Sequence, residues 1–178
     1  DEIVAKYGAD TFRVYEMFMG PFDQPVPWDT NGIEGVKRFL DKVWGLFEIN
    51  ARPEVANDQP LTSFDRLYHQ SIKKISNDVE NMHFNTCVSQ LMILTNAYHE
   101  AQRIPGEQRE GFIKLLAPFA PHLSEELWHQ LGHEDSIHQS AWPSYDETKL
   151  LAEEFELVIQ INGKVRDRLT IARDMPEE

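Results

Sequence analysis

The run Leu115 to Gly132, LLAPFAPHLSEELWHQLG, sets two prolines inside a pattern that otherwise reads as helix. A proline in a helix interior removes a backbone donor and clashes with the preceding turn, at a cost of about 3 kcal/mol. Yet Ile113, Leu116, Ala117, Ala120, Leu123, Leu127, Trp128 and Leu131 keep helical spacing across both prolines. One apolar face therefore survives a change of axis. Pro118 disfavours helical geometry at Ala117, and Pro121 fits the first turn of a new helix, where its missing amide has no partner to lose. The run predicts a corner between two helices closing a bundle, with burial of the shared face offsetting the prolines.

Most of the remaining chain carries the same period. DEIVAKYGADTFRVYEMFMG predicts a short helix ending at Gly8 and a second one capped by Asp10, with Phe12, Tyr15, Phe18 and Met19 on one face. Pro21, Pro25 and Pro27 then mark a connector that Trp28 anchors. From Gly32 to Asn50, the positions Ile33, Val36, Phe39, Leu40, Val43, Trp44 and Phe47 give the clearest stripe. Thr62 or Ser63 caps the next helix, buried on Leu67, Ile72, Ile75, Val79 and Met82. Asn85 caps another, running to about Arg103 on Val88, Leu91, Met92, Thr95 and Tyr98. After Gly132 the chain turns irregular, and Trp142 and Tyr145 are expected to pack down on the bundle.

The period changes to two in FELVIQINGKVRDRLTI, centred on the hairpin signal Asn162-Gly163. A two-residue turn sets the apolar positions of the first run opposite Lys164, Arg166, Arg168 and Thr170. One extra residue sets them opposite Val165, Asp167, Leu169 and Ile171, so a three-residue loop or a bulge just after Gly163 is expected. A lone hairpin is marginal in water and implies further strands. The predicted fold class is thus mainly α, a helical bundle with a C-terminal β-hairpin that belongs to a truncated domain.

No run of about 18 apolar residues and no leader segment is present, which argues against a membrane or secreted protein. The single cysteine, Cys87, suits a reducing compartment and reads as core. The sequence begins without methionine and reads as a piece of a longer chain. Its formal net charge of −13 excludes nonspecific binding along a basic stripe, so any nucleic-acid contact must be local, and no DNA partner is expected.

No self-contained active site is legible. Phosphate-binding glycine loops, a nucleophile elbow and paired Cys-x-x-Cys are all missing. His129 and His133 stand four apart, but Gly132 ends the helix between them, so no metal site is assigned. Glu125-Glu126 and Glu153-Glu154 point to different sides and read as solvated ends, and His122 with Glu126 as a surface pair. No catalytic residue is assigned. What remains are three basic clusters, Lys37/Arg38/Lys42, Lys73/Lys74 and Lys164/Arg166/Arg168. Each reads as a solvated face, or together they trace one nucleic-acid groove.

Four stretches in this order, YGADTFRVYEMFMGPFDQPVPWDTNGIEGVKRFLDKVW, LLAPFAPHLSEELWHQLG, AWPSYDE and VIQINGKVRDRLTI, resemble the bacterial leucyl-tRNA synthetases of class Ia. The proline corner is shared with the valyl and isoleucyl enzymes; FMGP, GIEGVKRFLDKVW and INGKVRDR favour leucine. The resemblance implies a stem-contact segment over 1–28, the helical anticodon-binding domain over 29–150, and the start of a C-terminal α/β domain over 151–178. It implies a cytoplasmic ligase whose ATP, magnesium, leucine and editing sites lie upstream, so this piece alone is inactive and holds no cofactor. Its partners would be a leucine-accepting tRNA and its own catalytic domain. The alternatives are a purely structural scaffold docked on that domain, or the equivalent domain of a valyl- or isoleucyl-tRNA synthetase.

Overall fold

Helices follow the apolar spacing through most of the chain. The computed structural model describes residues 2–21, 23–50, 62–150, 154–161 and 164–172; for 30, 49, 50, 62, 63 and the last two segments only the backbone is described. Among these residues, α1 (Glu2–Tyr7) and α2 (Ala9–Phe18) are followed by α3 (Thr30–Asn50), α4 (Thr62–Glu80) and α5 (Phe84–Glu100). Then come α6 (Gly106–Leu116) and α7 (Pro121–Gln130). α4 lies along α5, α2 packs on both α3 and α5, and α6 turns into α7, which closes back on α2 and α3.

The core joins α2 to α7 through Val14, Ile33, Val43, Ile72, Leu91, Tyr98, Phe112, Phe119 and Leu127, each at most 1% exposed. Phe112 stacks with Phe47 at 6.3 Å and meets the edge of Tyr98 at 5.7 Å, so α3, α5 and α6 share one aromatic centre. Gly111 is required beside it, because a Cβ there would fall 1.7 Å from the Tyr68 hydroxyl. Cys87 is fully buried. Burial pushes its thiol up to about 12.

The proline corner forms, with one correction. Pro121 opens α7, but Ala117 stays helical at φ −53 and ψ −40 in spite of Pro118. The reason is local: the Ala117 amide still donates to Ile113 O at 2.9 Å, and those of Phe119 and Ala120 both fold back on Leu116 O at 2.9 and 3.0 Å. The departure from helix falls instead on Ala120, φ −126 and ψ 71, immediately before Pro121. Ala117, Phe119 and Ala120 are no more than 5% exposed, so the corner is held by burial.

Other boundaries also differ from expectation. Asp10 does not cap α2, whose N-cap is Gly8 at φ +90 without a side-chain bond. The buried face of α2 is Thr11, Val14 and Tyr15, with Phe12, Phe18 and Met19 half-buried. Nor does Asn85 cap α5; the N-cap is His83, and the Thr86 hydroxyl bridges His83 O and the Asp78 carboxylate at 2.8 and 2.6 Å. Met82 lies beyond α4, 51% exposed at φ 58. Trp28 does anchor the connector, its ring edge-on to Tyr15 at 4.9 Å. The Thr62 and Ser63 side chains lie outside the described residues.

The part described with side chains contains no strand. Beyond it, the backbones of β1 (Glu154–Ile161) and β2 (Lys164–Ala172) pair antiparallel, Phe155 opposite Ile171, Leu157 opposite Leu169 and Ile159 opposite Asp167. The register shifts between Ile159 and Gln160, leaving Ile161 opposite Lys164. Residues 162 and 163, and the α/β domain expected to continue from this pair, lie outside the described residues.

Candidate nucleic-acid interface

On a chain with 17 basic and 30 acidic side chains, only a cation without a carboxylate neighbour keeps its charge for an anionic ligand. On α3, Lys37 is paired with Asp41 one turn on. Lys42 donates to the Asn96 amide oxygen at 2.9 Å, on the side facing α5. Arg38 is exposed and has no ion pair among the described residues. Helical geometry puts Lys37 at one border of the exposed arc and Lys42 at the other, with Glu34, Asp41 and Glu48 exposed between them. The α3 cluster is therefore split rather than continuous.

The α4 pair divides as well. Lys74 is bound to Asp78 at 2.6 Å, where the carboxylate side chain is only 8% exposed. Burial works to raise the Asp78 pKa, but bonds from Lys74 and Thr86 outweigh it and hold the group below its ordinary value. Lys73 instead sits over the Tyr145 ring at 5.4 Å and has no carboxylate partner among the described residues. The side chains of Lys164, Arg166 and Arg168 lie outside the described residues.

Lys73 belongs to a larger arrangement. The segment 142–150 runs antiparallel along α4, held at successive turns. The Trp142 indole N–H donates to Ser76 Oγ at 2.8 Å, Tyr145 meets Lys73, the Asp146 amide donates to His69 Nδ1 at 3.1 Å, and Lys149 donates to Asp65 Oδ2 at 3.1 Å. Both aromatics expected to pack on the bundle thus lie on one helix. Asp65 connects this strap to the core: its Oδ1 accepts from Gln108 Nε2 at 2.7 Å, and Gln108 Oε1 accepts the buried Tyr98 hydroxyl at 2.7 Å. His69 is held below its ordinary pKa, chiefly by burial and then by Lys149, so the acceptor nitrogen stays free of a proton.

Three surface cavities differ in charge. The groove between the α1–α2 turn, α3 and the start of α7, about 350 Å³, contains Lys37 and His122 but also Asp10 and Asp41. A second, about 510 Å³ beside Met82, contains Asp23. The third, about 170 Å³, lies between the proline corner and the start of the strap; Lys114, Pro118, His138, Ser140 and Trp142 line it, with no carboxylate. Lys114 is positioned there over the Trp128 ring at 5.1 Å, and Arg13 donates to the carbonyl of the lining residue Pro118 at 3.1 Å. Sequence reasoning passed over Arg13 and Lys114 because each stands alone in the chain. Arg13 reaches the proline corner, and Lys114 the Trp128 ring, only through tertiary packing.

The histidines and acids have structural partners. His122 Nδ1 donates to Asp10 at 2.7 Å, not to Glu126. His129 Nδ1 donates to His133 O at 2.8 Å, while the His133 ring stacks on Trp128 at 3.6 Å and reaches Glu110 at 3.1 Å. Glu125 accepts the Ile137 amide and the Ser136 hydroxyl, both at 3.1 Å, fastening the segment after α7. Among the described residues no three acidic, histidine or cysteine side chains are grouped to hold a metal, and no helix is long and apolar enough to cross a membrane.

A family model for the anticodon-binding domain of tRNA ligases matches residues 63–178. A solved LeuRS of Agrobacterium radiobacter K84, in its ternary complex with tRNA and LeuAMS, is similar over 99% of the present chain, with a TM-score of 0.80 and 31% sequence identity. The present chain spans only 24% of that protein's chain.

Proposed function

The chain belongs to the anticodon-binding domain family of tRNA ligases, and from that premise we propose that it is the tRNA-binding and tRNA-positioning part of a leucine–tRNA ligase. The observation that carries the reading is the likeness to a LeuRS held in complex with tRNA, extending over 99% of the chain. The physical arrangement supports it. A folded RNA is gripped by shape, through phosphate and ribose contacts that position without reading bases. Such a grip needs a few fixed cations on a rigid frame, which reconciles a net charge of −13 with an RNA partner. Arg38, Lys42 and Lys73, free of carboxylate partners among the described residues, are the favoured contacts. Lys37 and Lys74 serve the scaffold first, and Lys164, Arg166 and Arg168 are kept as candidates on the strand pair. Activation of leucine with ATP and magnesium is assigned to the rest of the ligase, along with docking of this bundle on the catalytic domain.

The test is an anisotropy titration of labelled leucine-accepting and noncognate tRNAs with the complete ligase at two salt concentrations, wild type against Arg38→Glu and Lys73→Glu. Weaker, less salt-sensitive binding by the variants supports the reading. Unchanged binding and unchanged aminoacylation would show that the bundle is a scaffold that docks on the catalytic body without touching RNA.

A further inference from the structure

We propose that the groove between the α6–α7 corner and the start of the strap is a nucleotide subsite. It takes one unpaired RNA base against Trp142 and the adjoining phosphate at Lys114. The proposal rests on the tRNA reading above and gives it a location outside all three basic clusters legible in the sequence.

Charge selects the occupant. Of the three cavities, this one alone has no carboxylate in its lining: Lys114 is its cation, and His138, Pro118 and Ser140 are among the other walls, on a protein with 13 more acidic than basic groups. The Lys114 ammonium is held over the Trp128 ring and has no carboxylate partner among the described residues, which leaves its charge for an incoming anion. Arg13 reaches the carbonyl of Pro118, a residue of the groove wall, and its Nη2 contact there is to a neutral acceptor. Trp142, at the other end of the groove, is tied to α4 through Ser76.

Aromatic geometry and size narrow the class further. Trp142 is 41% exposed although its indole N–H is fixed to Ser76, so it is held rather than merely left at the surface. A ring anchored by its edge is a platform for stacking, and base–aromatic stacking is tolerant of sequence, as a positioning contact requires. The volume, about 170 Å³, is well below the ~300 Å³ at which pockets for larger ligands begin, and suits a single base. A peptide partner would find no apolar trough of helix length here.

The experiment measures Kd of the complete ligase for leucine-accepting tRNA as a function of salt, for wild type, Trp142→Ala, Trp142→Phe and Lys114→Gln. Trp142→Ala is expected to weaken binding about 5- to 100-fold, and Trp142→Phe, which keeps a stacking face but loses the bond to Ser76, much less. Lys114→Gln should lower the slope of log K against log salt by about one. Ser76→Ala separates the hydrogen bond from the ring, and Lys114→Gln, at a partly exposed site, tests the groove even if Trp142→Ala fails to fold. No saturable binding by wild type would sink the tRNA reading itself. Wild-type binding that both Lys114→Gln and Trp142→Phe/Ala leave within twofold would overturn the subsite alone.

Discussion

Asp10, on the first turn of α2, caps the start of α7: its Oδ2 accepts the Leu123 amide at 2.7 Å, and Oδ1 accepts the His122 side chain at 2.7 Å. A carboxylate at a helix N-terminus satisfies an orphan donor and opposes the positive end of the helix dipole. Here it also ties the first helices to the proline corner. Asp10→Ala should therefore cost about 1–2 kcal/mol, comparable to losing a local cap, and lower Tm by roughly 2–8 °C. Asp10→Asn, keeping one acceptor, should lose less. Equal melting curves for wild type and Asp10→Ala would show that the cap contributes nothing.

Alkaline stability follows from three buried groups. Burial pushes Cys87 and Tyr68 to about 12 and Tyr98 well above its ordinary value, so all three resist ionising in the folded state. A folded pKa above the unfolded one means that the native state binds the extra proton. Its contribution is complete below the unfolded pKa and is lost as pH rises toward the folded value. Urea midpoints should be flat from pH 7 to about 8.5 and fall progressively from pH 9 to 12. In the same range, native Cys87 should react with a thiol reagent only as fast as the protein opens. Rapid labelling at pH 8 in the absence of denaturant would contradict the buried position.

The strap titrates in the opposite sense. His69 must be unprotonated at Nδ1 to accept the Asp146 amide, and its folded pKa lies below the ordinary 6.5. Asp65, Asp146, Glu107 and Lys149 surround it, the acids pulling its pKa up and burial with Lys149 pulling it down. A depressed folded pKa gives stability that is whole above pH 6.5 and lost as pH falls through the folded value. Hydrogen-exchange protection of the Asp146 amide should therefore drop between pH 7.5 and 5, while core amides of α5 stay protected. Protection that does not change with pH would remove His69 from the strap.

What was legible in the sequence follows from how local each cause is. The α3 stripe and Pro121 at a helix start depend on spacing within one element, and they appear as read. Gly132 does end α7, at φ +96, with the Gly132 and His133 amides bonded to His129 O and Trp128 O. The same closing geometry ends α4 and α5, but with Met82 and Gln102 at φ 58 and 54 where glycine is usual, so those ends carry no sequence signal. Asp10, Glu125, Arg13 and Lys114 were misread or passed over for a related reason. Their partners are brought together by tertiary packing, and no spacing rule reports a bond across 113 residues.

Those two left-handed positions yield a stability prediction of their own. A side chain in that region is strained by about 1 kcal/mol relative to glycine. Glycine's greater freedom in the unfolded chain returns part of that. Met82→Gly and Gln102→Gly should each be neutral to stabilising by up to about 0.5–1 kcal/mol, Met82 being the better site because it is 51% exposed and gives up little packing. Denaturant unfolding of the single variants measures it. A loss of more than about 1 kcal/mol at Met82 would mean that its side chain packs in a way its exposure does not suggest.

Lys73 and Lys74 are adjacent in sequence and should separate cleanly in experiment. Lys74 neutralises an Asp78 carboxylate that is 8% exposed, whereas Lys73 rests on the Tyr145 ring with no carboxylate partner among the described residues. Removing Lys74 leaves a buried charge supported only by its remaining hydrogen bonds, so Lys74→Gln should destabilise the bundle by about 1–2 kcal/mol. It should also lift the Asp78 pKa toward its ordinary value. Because a depressed folded pKa stabilises above the unfolded value and is lost as pH falls through the folded one, Lys74→Gln should begin its acid loss of stability at higher pH than wild type. Lys73→Gln should leave the melting temperature within about a degree, since an exposed cation contributes little to folding. Its effect should instead appear as weaker tRNA binding with a shallower salt slope. Paired thermal melts and salt-dependent titrations of the two variants decide the matter. The assignment fails if Lys74→Gln is the one that weakens RNA binding while leaving stability untouched.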